Sequence, residues 1–112
     1  MINRTTRERI DALLDTYRDL ATRHPEALHQ IALTELAETV QQSNAIENST
    51  LTLGETEQVL AGRLPSGHHD LREIYEARNL GAVTTDLVAN TETLSTDLIL
   101  RWHRMLLAGI RD

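Results

Sequence analysis

The first third of the chain carries apolar residues at helical intervals. Thr5 and Glu8 have capping-box spacing, and the apolar positions behind them recur every three or four residues: Ile10, Leu13, Leu14, Tyr17 and Leu20. This pattern predicts an amphipathic helix that ends near His24. Pro25 breaks that helix and is compatible with the first turn of a second helical stretch. The pattern leaves open whether that stretch continues without interruption or a new helix begins at Thr34.

A helical pattern over about residues 34–48 changes from apolar to polar along one face. Four residues at i, i+4, i+7 and i+11 share a narrow stripe that begins apolar and ends polar: Leu36, Val40, Ser43 and Glu47. Ser43 and Glu47 are i, i+4 neighbours, so we expect a hydroxyl and a carboxylate one above the other where the helix faces its packing partner. Asn48 should adopt a left-handed conformation just past the helix end, where the charge of Glu47 opposes the helix dipole.

A short helix is expected next, from the capping-box spacing of Thr52 and Glu55 to a stop at Gly62. The following segment, RLPSGHHD, concentrates proline, serine and glycine, which is typical of a loop. We expect this segment to be the most mobile part of the chain.

Two further helices are predicted in the last third of the chain. The first runs from an N-cap at Asp70 to Asn90, and its internal Gly81 costs about 1 kcal/mol relative to alanine, which a closely crossing helix would explain. The second begins at the cap Ser95 and closes at Gly109. No run alternates with a period of two residues, so the predicted fold is an all-α small helical bundle.

Composition narrows the function classes. Aromatic residues make up 3% of the 112 residues, which suits a core of aliphatic side chains in helices. The net charge is −6, which disfavours nucleic-acid binding because that binding depends on neutralising phosphates. There is no cysteine, and the first residues contain charges and no continuous apolar run, so we expect neither disulfides nor a membrane span and take a cytoplasmic location as the default.

Most candidate sites for independent chemistry are weak. His68 and His69 precede Asp70, but zinc requires three or four ligands, so a solvated loop is the simpler interpretation. His103, beside a tryptophan, is interpreted as a packed structural residue. Ser43 has no nucleophile-elbow pattern around it, and the glycines stand isolated. The sequence therefore predicts no catalytic, cofactor or metal site in this chain.

Two interpretations of Glu47 remain. In the first, the stripe runs out at the helix end and leaves Glu47 solvated or paired with a local arginine, since most exposed ion pairs contribute little. In the second, Ser43 and Glu47 form a prepared site for an arginine supplied from elsewhere, because a partly desolvated carboxylate is costly without a cation.

A family resemblance favours the second interpretation. The segment SNAIEN, residues 43–48, is similar to the inhibitory pattern [S/T]-x-x-x-E-[G/N] of the Fic (filamentation induced by cAMP) family, and its continuation TLTLGETEQVLAG resembles the segment that follows this pattern. The stretch EARNLGAVTTDLVANTETLSTDLILRWHRMLLAGIRD resembles a downstream run of the same family, in which a Leu-Ser turn leads into a helix with the pattern lH..Ll.g. The resemblance covers residues 34–112.

The resemblance implies the N-terminal part of an all-helical Fic-type fold and a role in protein AMP transfer from ATP. Fic proteins carry a catalytic loop, H-x-F-x-[D/E]-G-N-G-R-x-x-R, that holds magnesium and the ATP phosphates. This chain has no Gly-Asn-Gly, so we expect ATP and magnesium to belong to a parent protein and this chain alone to be no enzyme. By similarity, Glu47 pairs with the second loop arginine and blocks productive placement of the γ-phosphate, Ser43 supports the pair, and Asn48 ends the inhibitory helix.

The resemblance also implies that the chain has two segments with different functions, and it implies partners for them. Residues 1–68 would be a regulatory segment carrying the inhibitory helix, and residues 69–112 would lead into the catalytic core, which is the expected partner in cis. The alternative is a free-standing antitoxin that supplies Glu47 in trans to a separate Fic toxin, and a generic helical scaffold ranks third. The target protein of AMP transfer is not indicated. Helix faces without a packing partner would favour self-association.

Overall fold

The computed structural model describes residues 2–111. This part of the chain contains five α-helices: α1 (Arg4–Arg23), α2 (Pro25–Ile46), α3 (Leu53–Leu60), α4 (Leu71–Ala89) and α5 (Thr96–Leu107). There is no strand in residues 2–111, so the predicted all-α class is confirmed. The contacts group the chain into two compact units, Met1–Leu33 and Thr34–Asp112. The predicted division at residue 68 concerns function and stays a prediction.

The first unit consists of α1 and the beginning of α2. Asn3, and not Thr5, caps α1, because the Asn3 side chain accepts a hydrogen bond of 2.8 Å from the Thr6 amide. The predicted capping box at Thr5 is therefore wrong, and Glu8 instead pairs with Arg4 at 3.1 Å. No residue of α1 is buried. Its apolar stripe is exposed along its whole length: Ile10, Leu13, Leu14, Tyr17 and Leu20.

Pro25 opens α2, which then runs without interruption to Ile46, so Thr34 is not a fresh N-cap. Proline fits the first turn because the missing N–H has no intrahelical acceptor there.

The second unit has a small aliphatic core. Its buried members come from α2, the connection after it, α3 and α4: Val40, Leu51, Val59 and Ala77. Partly buried side chains surround them: Leu36, Leu60, Ile74 and Leu80. The predicted close crossing at Gly81 is confirmed, because a Cβ at this position would meet the Leu60 side chain of α3.

Helix α5 packs on α4 through polar as well as apolar contacts. The buried Asn79 amide donates hydrogen bonds of 3.0 and 2.8 Å to the carbonyls of Leu106 and Ala108, which satisfies acceptors left free at the end of α5. At the other end of the interface, the Trp102 indole donates to Asp86 at 2.7 Å. These contacts fix α5 against the second half of α4.

The sequence located the ends of α3, α4 and α5 correctly. Thr52 and Glu55 form a capping box, Ser95 caps α5, and Asp70 and Asn90 flank α4. Gly62 and Gly109 take positive φ angles of 81° and 78° just past α3 and α5. None of the helices among residues 2–111 combines the length and apolar character needed to cross a membrane.

Candidate functional site

The end of α2 has the geometry that the sequence predicted for Asn48. Asn48 has a φ of 71° and donates its amide to the Ala45 carbonyl at 3.1 Å, while the Ser49 amide reaches the Asn44 carbonyl at 3.0 Å. These two bonds form a Schellman motif with Asn48 at the left-handed position. Glu47 is thus the last residue before the turn, at the negative end of the helix dipole.

The structure places Ser43 and Glu47 differently from the expectation. Both side chains are exposed, and the buried side of this part of α2 is formed by Ala37 and Val40. After Val40 the partly buried positions of α2 are Gln41 and Asn44, and the Nδ2 atom of Asn44 is enclosed without a hydrogen-bond partner in the described part of the chain. The covered face of the last turns therefore runs through these residues and not through Ser43 and Glu47. The expectation that Ser43 and Glu47 face a packing partner within this chain is therefore wrong.

The Glu47 carboxylate also lacks a local cation. Among residues 2–111, none forms an ion pair or side-chain hydrogen bond with it. It is a solvent-facing carboxylate at a helix end that gives it no stabilisation. Within this chain Glu47 is thus solvated, as in the first of the two interpretations, and is not partly desolvated as the second one assumed.

A second group of polar residues, which the sequence did not single out, lies beside the first turn of α3. We call it the polar cluster and define it as Thr50, Glu55, His69 and Glu73. Glu55 accepts the Thr52 amide at 3.1 Å on one carboxylate oxygen, and on the other the Gly67 amide at 3.0 Å and His69 Nε2 at 2.6 Å. Glu55 therefore joins the start of α3 to the loop before α4.

His69 is the centre of the polar cluster. Besides Glu55, its Nδ1 atom lies 2.7 Å from the Thr50 hydroxyl and 3.4 Å from a carboxylate oxygen of Glu73. Its side chain is only 8% exposed. The interpretation of His69 as a solvated loop residue is wrong, because two carboxylates from different helices enclose it.

Glu73, on the first turn of α4, completes the polar cluster. It accepts the Thr50 amide at 2.8 Å and the Thr50 hydroxyl at 3.0 Å. The backbone just after Glu47 is consequently held at Thr50 by a carboxylate of α4 and at Thr52 by a carboxylate of α3.

The hydrogen bonds shift the pKa of each ionisable group in the polar cluster. The Thr52 amide, followed by His69, lowers the pKa of Glu55 to about 2. The Thr50 amide lowers the pKa of Glu73, and the hydrogen bond to Glu55 raises the pKa of His69. These shifts favour the ionised form of both carboxylates and the charged form of the imidazole.

The polar cluster combines a hydroxyl, an imidazole and two carboxylates, which are groups that also occur in metal sites and hydrolase triads. No group of three or more candidate ligands with the geometry for a metal ion occurs in the described part of the chain. The Thr50 hydroxyl, His69 and Glu55 stand in the order hydroxyl, imidazole, carboxylate, which is the order of a hydrolase triad. However, the Thr50 hydroxyl also donates to Glu73, so its single hydrogen is not directed only at His69 as it would be in a triad.

Sequence reasoning identified only the part of the polar cluster that is local. The capping box of Thr52 and Glu55 was predicted, and it is formed. The contact of Glu55 with His69 joins residues 14 positions apart, and no spacing rule connects them. His103 was also misjudged, since it is exposed on α5 while the neighbouring Trp102 is partly buried.

No family model, curated protein or solved structure matches the chain.

Proposed function

We propose that this chain is the N-terminal autoinhibitory region of a Fic-family protein AMP-transferase. In this role Glu47 binds an arginine of the catalytic loop and keeps that arginine from the γ-phosphate of ATP. The support is the resemblance of residues 43–48 to the inhibitory pattern, together with one structural observation, the unpaired carboxylate of Glu47 at the end of α2.

The position of Glu47 gives a physical reason for it to attract an arginine. A carboxylate at the C-terminal end of a helix faces the negative end of the dipole, so an incoming guanidinium relieves an unfavourable interaction. Arginine also presents two parallel donors that match both carboxylate oxygens. Ser43 lies one helical turn before Glu47 on the same side of α2, where its hydroxyl can donate to the pair.

The exposure of Glu47 sets a condition on the proposal. An ion pair in full contact with water contributes about 0–1 kcal/mol, which is too little to hold a catalytic arginine out of place. The catalytic core must therefore cover the last turn of α2 when it binds. The apolar side chain of Ile46 next to Glu47 is 84% exposed, and such a core would bury it.

The test measures AMP transfer by a longer protein that continues past residue 112 and includes a catalytic loop. Glu47→Gly should raise self-labelling or target labelling by labelled ATP, because the loop arginine becomes free to bind the γ-phosphate. Glu47→Gln should raise it as well, since the amide keeps the shape and removes the charge. Labelling that is unchanged in both variants would refute the proposal.

Glu38→Gln is the matched control. Glu38 is an exposed glutamate on the same helix, about two and a half turns earlier, and the substitution makes the same change of charge. It should leave labelling at the level of the unmodified protein. An increase equal to that of Glu47→Gln would show a general effect of charge and would count against a specific arginine site.

The same contact made in trans would make the chain a separate antitoxin. Reading the coding sequence past codon 112 distinguishes the two arrangements. An open frame that reaches a catalytic loop means inhibition in cis, and a stop codon beside a separate Fic gene means inhibition in trans.

A further inference from the structure

His69 connects two carboxylates that come from different helices. Glu55 belongs to α3 and Glu73 to α4, and the side chains of His69, Glu55 and Glu73 are 8%, 10% and 16% exposed. These two carboxylates are the charged groups that face the imidazole from the elements around it. Along its own segment, His68 precedes it and Asp70 follows it, and both are exposed.

The hydrogen-bond partners of the ring indicate which nitrogen carries a hydrogen. Glu55 is ionised and accepts from His69, so Nε2 carries a hydrogen in either charge state of the ring. When the ring is protonated, Nδ1 donates to the Thr50 hydroxyl, which in turn donates to Glu73. When the ring is neutral, Nδ1 becomes an acceptor and competes with Glu73 for the single hydrogen of that hydroxyl.

Loss of the His69 proton also changes the charge of the enclosed group. The two carboxylates and the imidazolium together carry −1, and with a neutral imidazole they carry −2. Two enclosed carboxylates without a cation between them are costly, because water compensates them only partly. The polar cluster is thus stable with His69 protonated and weakened with His69 neutral.

We propose that the protonation state of His69 controls how firmly the connection between α2 and α3 is held against α3 and α4. With His69 protonated, Glu73 holds Thr50 and Glu55 holds Thr52, so the connection is fixed on both sides of the buried Leu51. With His69 neutral, these contacts and the contact of Glu55 with Gly67 open more often. This inference rests on contacts within the chain and is independent of any role of Glu47.

Gly67 indicates that the fit around His69 is close. A Cβ at residue 67 would lie 2.6 Å from Glu55 Oε2 and 3.1 Å from His69 Nε2, so the loop backbone passes directly over this ion pair. Any change in the ion pair is therefore transmitted to the Gly67 amide. That amide and the Thr50 amide report on the two carboxylates separately.

The experiment is an NMR titration of the 112-residue chain. The ring nitrogens of His69 are followed from acid to alkaline pH together with hydrogen-exchange protection of the Thr50 and Gly67 amides. His69 should titrate above its ordinary value. For each pH unit of that difference, both protection factors should fall by about tenfold over the same pH range, because the same coupling governs both quantities.

Two variants and one internal control complete the test. His69→Gln should remove the change of both protection factors over the pH range in which His69 titrates. His68→Gln, a change of the neighbouring exposed histidine, should leave that change intact. The Ile99 amide in α5 bonds to the Ser95 carbonyl away from the polar cluster, so its protection should not follow His69. If His69→Gln does not fold, the titration of the unmodified chain decides alone. Constant protection of Thr50 and Gly67 across the His69 titration would overturn the proposal.

Discussion

Two glutamates close in sequence, Glu47 and Glu55, occupy opposite ends of neighbouring helices and have opposite environments. Glu47 ends α2, is exposed and has no partner among the described residues. Glu55 stands in the first turn of α3, is buried and accepts hydrogen bonds from Thr52, Gly67 and His69. The comparison shows that a helix end decides whether a carboxylate is stabilised within its own chain. The N-terminal end of a helix offers free N–H donors, and the C-terminal end offers only carbonyls.

The different environments of Glu47 and Glu55 suit different roles. Glu55 is satisfied by this chain and contributes to holding the fold together. The Glu47 carboxylate has no ion pair or side-chain hydrogen bond among residues 2–111, and it is exposed to solvent. If the proposed function is correct, the two carboxylates on either side of this short connection have different roles, Glu55 in stability and Glu47 in binding.

The largest expected effect separates the two glutamates by stability. Glu55→Gln should lower the free energy of unfolding, because it weakens the capping box and leaves His69 without its closest partner. Glu47→Gln should change the free energy by no more than about 0.5 kcal/mol, as for surface substitutions without contacts. Urea denaturation at neutral pH measures both. Equal losses of unfolding free energy in the two variants would contradict the different environments of Glu47 and Glu55.

The second expected effect is a loss of stability at low pH. The folded pKa of Glu55, about 2, lies below the ordinary 4.5, so the stability it contributes is fully present above pH 4.5 and is lost as the pH falls towards 2. His69 is protonated throughout this range and adds no slope. The free energy of unfolding should fall between pH 4.5 and 2, and Glu55→Gln should make the fall shallower. A parallel series with Glu47→Gln is expected to keep the slope of the unmodified chain.

The smallest effect concerns the turn that presents Glu47. Asn48→Ala should destabilise the chain by about 1 kcal/mol, because a residue with a Cβ and no local side-chain hydrogen bond is disfavoured at a φ of 71°. Asn48→Gly should be neutral or slightly stabilising, since glycine adopts this conformation without strain. Thermal unfolding of both variants checks the order. A stability of Asn48→Ala equal to that of the unmodified chain would mean that the turn does not need the left-handed conformation.

Those features of the fold that depend on neighbouring residues were predictable from the sequence. The ends of α3, α4 and α5 follow from residues that act on their own helix: Thr52, Gly62, Asp70, Asn90 and Ser95. The start of α1 was misplaced because Asn3 and Thr5 are both good N-caps, and the sequence pattern favoured the later one. Gly81 was recognised as a crossing point, although the sequence did not name Leu60 as the side chain above it.

The candidate site was predictable only in part. The left-handed turn at Asn48 follows from residue type, and it is formed. The exposure of Ser43 and Glu47 did not follow, because a helical stripe specifies which residues share a face and not whether another element covers that face. The burial of His69 was missed because its partners lie on other helices.

Neighbouring residues in the sequence set most of the helix ends and the conformation of Asn48, since capping, helix period and left-handed turns are local properties. They left open whether a new helix begins at Thr34, and the structure shows that α2 is continuous there. Which ionisable residues are enclosed depends on how the helices pack against one another, and neighbouring residues in the sequence do not specify it. The Thr50 amide meets Glu73 across 23 positions of the chain, and Glu55 meets His69 across 14. Such pairs form only when α3 and α4 pack together, so the charge state and the environment of each side chain are properties of the assembled fold.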